Sequence, residues 1–204
     1  MQASQDSFGP LFPVLGRLGQ WGYVVRDIEA AMRYWSEVLH IGPFVCIEDL
    51  GDMVCRYRGE RTDVKLRVAF AYHGETQIEL IEQCNAAPSP YVDFLNSGRE
   101  GLQHLGFWTD DYDRTRARLE ASGFVPSYSV QLPGSPRETV YFDAPALLGC
   151  MVEVSPDSPA KRQLFGAIAA LGRQWDGERA VRRYRQMSDF ATEAGVPSWS
   201  SFKA

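Results

Sequence analysis

The chain repeats a short pattern, and that repeat limits what it can fold into more than any other feature. Residues 18–23 read LGQWGY and residues 102–107 read LQHLGF, with a Leu, a central Gly and an aromatic at matching places. Gln20 stands where the second copy has His104. The stretches after the two hexapeptides also match. After the first, Asp27 is placed to cap a helix whose apolar residues Ile28, Ala31, Met32, Trp35, Val38 and Leu39 recur at helical spacing until Gly42-Pro43 ends it. After the second, Asp111 occupies the cap position and Gly123 the stop. The first copy continues with strand candidates at 43–48, 53–58, 64–72 and 76–83, the second with strands near 125–131 and 138–143 and a last one in GCMVEVSP, 149–156. In TQIELIEQ, Ile78 and Leu80 point one way and Gln77, Glu79 and Ile81 the other. Val152-Glu153-Val154 echoes Ile78-Glu79-Leu80.

A duplicated β-α-β-β-β unit predicts an α+β fold. Two tandem βαβββ modules, 17–95 and 96–156, should form one curved mixed sheet around a central cleft, with both helices on the outer face. A leader precedes them. A C-terminal helical extension, 157–204, should come after them, because Leu164, Ile168, Leu171 and Trp175 recur at i, i+4, i+7 and i+11. The basic run ERAVRRYR, 178–185, reads as a continuation of that helix, covering a sheet edge or a second subunit.

The repeat also aligns four polar residues. Gln20 and His104 lie in equivalent first strands, Glu79 and Glu153 in equivalent last strands, each between apolar neighbours that face the other side. A single Glu between aliphatics is more often an ordinary half-exposed strand residue, and His40 and His73 are expected to be structural. The case rests on both halves placing a polar residue at the same offset. Buried carboxylates need a proton or a partner. Three oxygen donors and one imidazole nitrogen suit a divalent ion such as Zn, Co, Ni, Mn or Fe.

Composition removes several other functions. The net charge of −5 in 204 residues, with no basic patch interleaved with aromatics before residue 156, gives no electrostatic basis for binding nucleic acid. No apolar run approaches the ~20 residues of a membrane span. MQASQDSFGP lacks an export pattern, and Cys46, Cys55, Cys84 and Cys150 form no C-x-x-C pair. A cytoplasmic protein with reduced thiols and a small-molecule substrate is expected, as a homodimer in which Trp175 serves the interface.

Taken with GYVVRDIEAAMRYWSEVL, GLQHLGFWTDD and CMVEVSP, the repeat resembles the vicinal oxygen chelate superfamily of glyoxalases, bleomycin-resistance proteins and dioxygenases, across residues ~17–156. The resemblance implies metal ligands at Gln20, Glu79, His104 and Glu153, with glyoxalase I or methylmalonyl-CoA epimerase as the nearest chemistry. It implies proton abstraction next to a chelated carbonyl, with Glu153 as base and Glu79 as its alternative. Val24 and Glu100 occupy the places where glyoxalase I has arginines for glutathione, which argues against that substrate. Tyr72, Trp108 and Tyr141 are candidates for an apolar substrate pocket. The expected function is a metal-dependent isomerase, epimerase or lyase; a metal-free binding or resistance module and an extradiol-type dioxygenase are the alternatives.

Overall fold

The computed structural model describes residues 11–198 except 133, 134 and 147. The N-terminal decapeptide and the last six residues lie outside the described residues. A one-turn helix α1 (Phe12–Leu15) leads into β1 (Arg17–Val24), α2 (Ile28–Glu37) and β2 (Phe44–Ile47). A hairpin of β3 (Val54–Tyr57) and β4 (Glu60–Thr62) comes next, then β5 (Leu66–His73), β6 (Thr76–Gln83) and α3 (Pro90–Asn96). The second half runs β7 (Gly101–Thr109), α4 (Tyr112–Ala121), β8 (Val125–Gln131), β9 (Thr139–Asp143) and β10 (Met151–Pro156). The C-terminal part adds α5 (Pro159–Arg173), β11 (Val181–Tyr184) and α6 (Met187–Ala194).

The eleven strands of the described residues share one mixed sheet in the order β11-β2-β5-β6-β1-β7-β10-β9-β8-β3-β4. Its centre is nearly mirror-repeated. β1 pairs in parallel with β6, β7 pairs in parallel with β10, and β1 and β7 meet antiparallel at the seam. The helices start as the capping residues demand: Asp27 accepts from the Ala30 amide at 2.9 Å, and Asp111 from the Arg114 amide at 3.3 Å. Both helices pack on the same outer face. Ile28 and Met32 of α2 cover Ile78 and Leu80, while Tyr112 and Leu119 of α4 cover Val152 and Val154.

The inner face forms a third core, in which Val68 and Phe70 of β5 share a cluster with Tyr128 and Val130 of β8 from the far side of the sheet. The β3–β4 hairpin draws the two sides together. It leaves the β2 side and pairs antiparallel with β8, Val54 opposite Gln131 and Tyr57 opposite Tyr128. The segment 48–53 therefore spans the mouth of the bowl.

Two sequence expectations need correction. The basic run does not extend the long helix: α5 stops at Arg173, and Val181–Tyr184 form a strand parallel to β2. Alternation outweighs the helical reading there, because Val181 packs on the core under α2 while Arg183 reaches Glu29 and Glu48. Trp175 lies past the helix end and stacks on His40 within the same chain, its ring against Gly42. Cys46 and Cys55 sit on strands near opposite ends of the sheet, and both are free thiols. Among the described residues, no helix is long and apolar enough to cross a membrane.

Candidate metal centre

The seam between β1 and β7 explains the repeated glycines. In the register of this pair, Gly22 lies opposite His104 and Gln20 opposite Gly106. A Cβ on Gly22 would stand 1.9 Å from His104 Cε1 and 2.1 Å from Nε2. One on Gly106 would stand 2.7 Å from Gln20 Oε1. Each copy of the hexapeptide thus carries the polar side chain and, two residues on, the gap that admits the polar side chain of the other copy.

His104, Glu79 and Glu153 converge behind that gap, all buried, with one candidate ligand atom from each lying within 4.8 Å of the others. His104 Nε2 is 3.4 Å from Glu79 Oε2 and 3.4 Å from Glu153 Oε2. These are ion-pair distances, too long for good hydrogen bonds, and Glu79 Oε2 and His104 Nε2 have no hydrogen-bond partner. The other ring nitrogen is occupied: Nδ1 lies 2.8 Å from Gln103 Oε1. Gln103, itself buried, sends its amide to the Met151 sulfur at 2.9 Å. This is the arrangement that orients a metal-binding imidazole from behind and gives Nε2 the free lone pair. Gln20 borders the same cavity as Glu79 and Glu153, and its Nε2 donates to Gln77 Oε1 at 2.9 Å. The carbonyl end of its amide is the end left for other work.

Three electron-rich atoms packed this closely need a cation among them. Without a metal the cation is a proton. Burial lowers the pKa of His104, but contacts with Glu153 and Glu79 outweigh it and raise the imidazole to about 9. The two carboxyls diverge. Burial pushes Glu79 up, whereas for Glu153 the burial effect is overcome by His104, Lys161 and Tyr141, and its pKa falls below the usual carboxylate value. A divalent ion would take the place of that proton. Two carboxylate oxygens, an imidazole nitrogen and an amide oxygen form a donor set for a borderline ion.

The cluster opens onto a cavity of about 450 Å³, within the range of small-molecule sites. Its walls are mostly apolar, and Trp108 and Tyr141 are among the lining residues. Tyr141 also meets the His104 ring edge-on at 5.0 Å. Tyr72 does not line it. It follows Val68 and Phe70 on the inner face of β5 but lies too far along the strand, beside Gly172 near the end of α5, where its hydroxyl accepts from Gln77 at 3.1 Å. Sequence reasoning missed Gln103, which supports the imidazole, and Tyr91, which α3 brings against Tyr141. It also missed two groups at the far end of the cluster. Ser155 Oγ lies 3.4 Å from Glu153 Oε1 and accepts from Lys161 Nζ of α5 at 2.6 Å. Ser155 could have been found from strand alternation, two residues beyond Glu153; nothing in the local sequence marks Lys161.

The fold and this centre define a duplicated-module protein with a buried carboxylate–imidazole site on one curved sheet. The model of the Glyoxalase/Bleomycin resistance protein/Dioxygenase superfamily matches residues 19–141, more than half of the chain, and the protein belongs to that superfamily. Among solved structures, the chain is similar to a hypothetical protein from Bacillus halodurans C-125, at 18% identity and a TM-score of 0.51 over 70% of this chain and 94% of that one. A methylmalonyl-CoA epimerase from Mycobacterium tuberculosis aligns at 19% identity and a TM-score of 0.49, over 78% and 94% of the two chains. A Streptomyces coelicolor methylmalonyl-CoA epimerase variant in complex with 2-nitronate-propionyl-CoA aligns at 16% and 0.47, over 71% and 96%. No curated protein matches the sequence.

Proposed function

We propose that the protein is a metal-dependent isomerase of the epimerase type, moving a proton at a carbon next to a carbonyl of a small, largely apolar substrate. The observation that carries this reading is the buried meeting of Glu79, His104 and Glu153 with Glu79 Oε2 and His104 Nε2 unpartnered. These three residues and Gln20 would hold the ion. When bound, it supplies Lewis-acid stabilisation of the negative charge that develops on a carbonyl oxygen. Glu153 is the base: it borders the cavity, and Ser155, held by Lys161, stands 3.4 Å from its Oε1. Gln103 keeps the imidazole from turning, and the apolar walls exclude water from the reacting carbon. A protein that only bound a ligand in this pocket would gain nothing from the desolvation cost of two carboxylates. The exposed Tyr34, Val38 and Leu39 of the α2 end supply apolar surface for the homodimer that belongs to this reading, and a monomeric mass in light scattering would withdraw that part.

The test is metal analysis followed by turnover. The reconstituted protein should hold about one divalent ion per chain, and His104→Ala should lose most of it. At matched metal content, Glu153→Gln should turn over at least about 100-fold more slowly and should no longer exchange the substrate C–H in D2O. A wild-type protein that takes up no metal would remove the reading in favour of a binding module, and full activity in Glu153→Gln at equal metal loading would show that this residue is not the base.

A further inference from the structure

Gln77 is fully buried on the inner face of β6, and the proton chemistry does not use it. A buried amide needs partners at both of its ends. Gln77 has them: its Oε1 accepts from Gln20 Nε2 at 2.9 Å, and its Nε2 donates to the Tyr72 hydroxyl at 3.1 Å. The strand register makes this a row, since Gln77 lies opposite Gln20 of β1 on one side and Tyr72 of β5 on the other. Past Gln20 the row runs on to Gly106 and then to Glu153. Gln20 Oε1 leans over Gly106, where an added Cβ would stand 2.7 Å from it. The Gln20 amide thus turns its nitrogen toward Gln77 and its oxygen toward the side of the row that carries Glu153. At the far end, Tyr72 is held beside α5, its backbone oxygen 3.5 Å from where a Cβ on Gly172 would lie.

The second repeat uses the same offset. Gln77 comes two residues before Glu79, and Met151 two residues before Glu153. The Met151 sulfur accepts from Gln103, whose Oε1 faces His104 Nδ1. In each half, then, the side chain two residues before the acid supports the polar side chain of the first strand, directly in one case and through Gln103 in the other. We propose that Gln77 is a positioning residue for the metal centre: it holds the Gln20 amide with Oε1, and not the NH2 group, toward the ion, and Tyr72 holds Gln77 in turn. The inference rests on the metal-centred reading above. An amide nitrogen has no lone pair to give a cation, so Gln20 serves as a ligand only in this orientation. Turning it over would set its oxygen against Gln77 Oε1 unless Gln77 and Tyr72 reversed as well, and a buried amide left without a partner is costly.

The experiment titrates cobalt(II), whose visible absorption reports its ligands, into the metal-free full-length chain, with affinity read by calorimetry. Gln77→Met nearly keeps the volume but cannot accept from Gln20. It should weaken cobalt binding by about tenfold or more, the scale of a lost supporting contact, and should change the visible band. Gln77→Glu still offers Gln20 an oxygen and should keep the wild-type band; the band is the reading there, because an added charge alters affinity by itself. The deciding comparison is made on Gln20→Met, which removes the ligand. On that background Gln77→Met should lose no further affinity, whereas a packing role would add its loss in full. Melting curves establish that the variants fold, and if Gln77→Met does not, Tyr72→Phe takes its place in the same cycle. Additive losses in folded variants, or a Gln77→Met that binds cobalt as the wild type does, overturn this inference alone. A wild type that takes up no cobalt sinks the metal-centred reading, and this inference with it.

Discussion

At the scale of single residues, the seam glycines carry as much of the site as the residues with chemistry. A methyl group on Gly22 has no space, because the imidazole it meets is hemmed in by Gln103 and Tyr141. Gly22→Ala should cost about 1–3 kcal/mol of stability and displace His104. Metal affinity should fall by about tenfold or more, as when a ligand loses its orientation. Gly106→Ala meets Gln20 instead, at Oε1, which can swing away, and at Cβ, 2.9 Å off, which cannot; it should cost stability too, but less than Gly22→Ala, and leave His104 and more of the metal affinity in place. Melting curves and metal titrations of the two variants check this order, and equal effects would refute it. The four polar residues and both glycines were legible in the sequence, since duplication placed them at equal offsets. What Gly22 and Gly106 do for each other was not, because it depends on the antiparallel register of β1 with β7. Lys161 was illegible for a related reason: a lysine just after a helix cap is ordinary until the helix is seen to lie inside the bowl.

At the scale of elements, β11 shows where local pattern and tertiary context part. ERAVRRYR has helix-forming residues, yet it pairs with β2 because a charge network waits for it there. Arg183 binds Glu29 on α2 and reaches Glu48 at 3.1 Å, and Arg67 of β5 joins the same acids at 2.5 Å and 2.7 Å. The hydrogen bond from Arg183 lowers the Glu29 pKa from 4.5 to about 2, with burial opposing and Arg67 assisting. A depressed carboxyl contributes stability that is present above its unfolded value of 4.5 and is lost as pH falls through about 2. Acid titration of stability should therefore show a loss between those limits that Glu29→Gln removes. Salt should shrink it, because Glu29 and Arg183 are a third to a half exposed. An acid limb unchanged in Glu29→Gln would show that the network does not hold the strand. The α2 and α4 starts, by contrast, were readable from Asp27 and Asp111 alone, since a cap acts within one turn.

At the scale of the whole molecule, the C-terminal part is a wall of the cavity as well as an extension. Leu164, Phe165 and Ile168 of α5 are buried in the inner core, and Phe165 stacks on Trp108 with ring centres 5.3 Å apart. Burial of such side chains contributes roughly 1.5–3 kcal/mol each. Removing residues 158–204 should therefore leave a chain that is much less stable or aggregates, with the inner faces of β5 and β7 open to water. A truncated protein with the parent's melting temperature and solubility would show that the helix merely rests there. Periodicity announced the apolar stripe of α5, but the surface that receives it combines β5 from one repeat with β7 from the other, which no local pattern displays.

The crossed hairpin also bears on how the chain is made. Residues 54–57 pair with residues 128–131 of the second repeat, so on the ribosome the hairpin emerges well before the strand that receives it. Until β8 is synthesised, Val54 and Cys55 stay on an unpaired edge, the kind of strand that recruits a neighbouring chain. The bowl closes only when the second repeat arrives, and long-range pairing of this sort is slow. During that interval this hairpin, like the β1 edge that waits for β7, is open to mispairing.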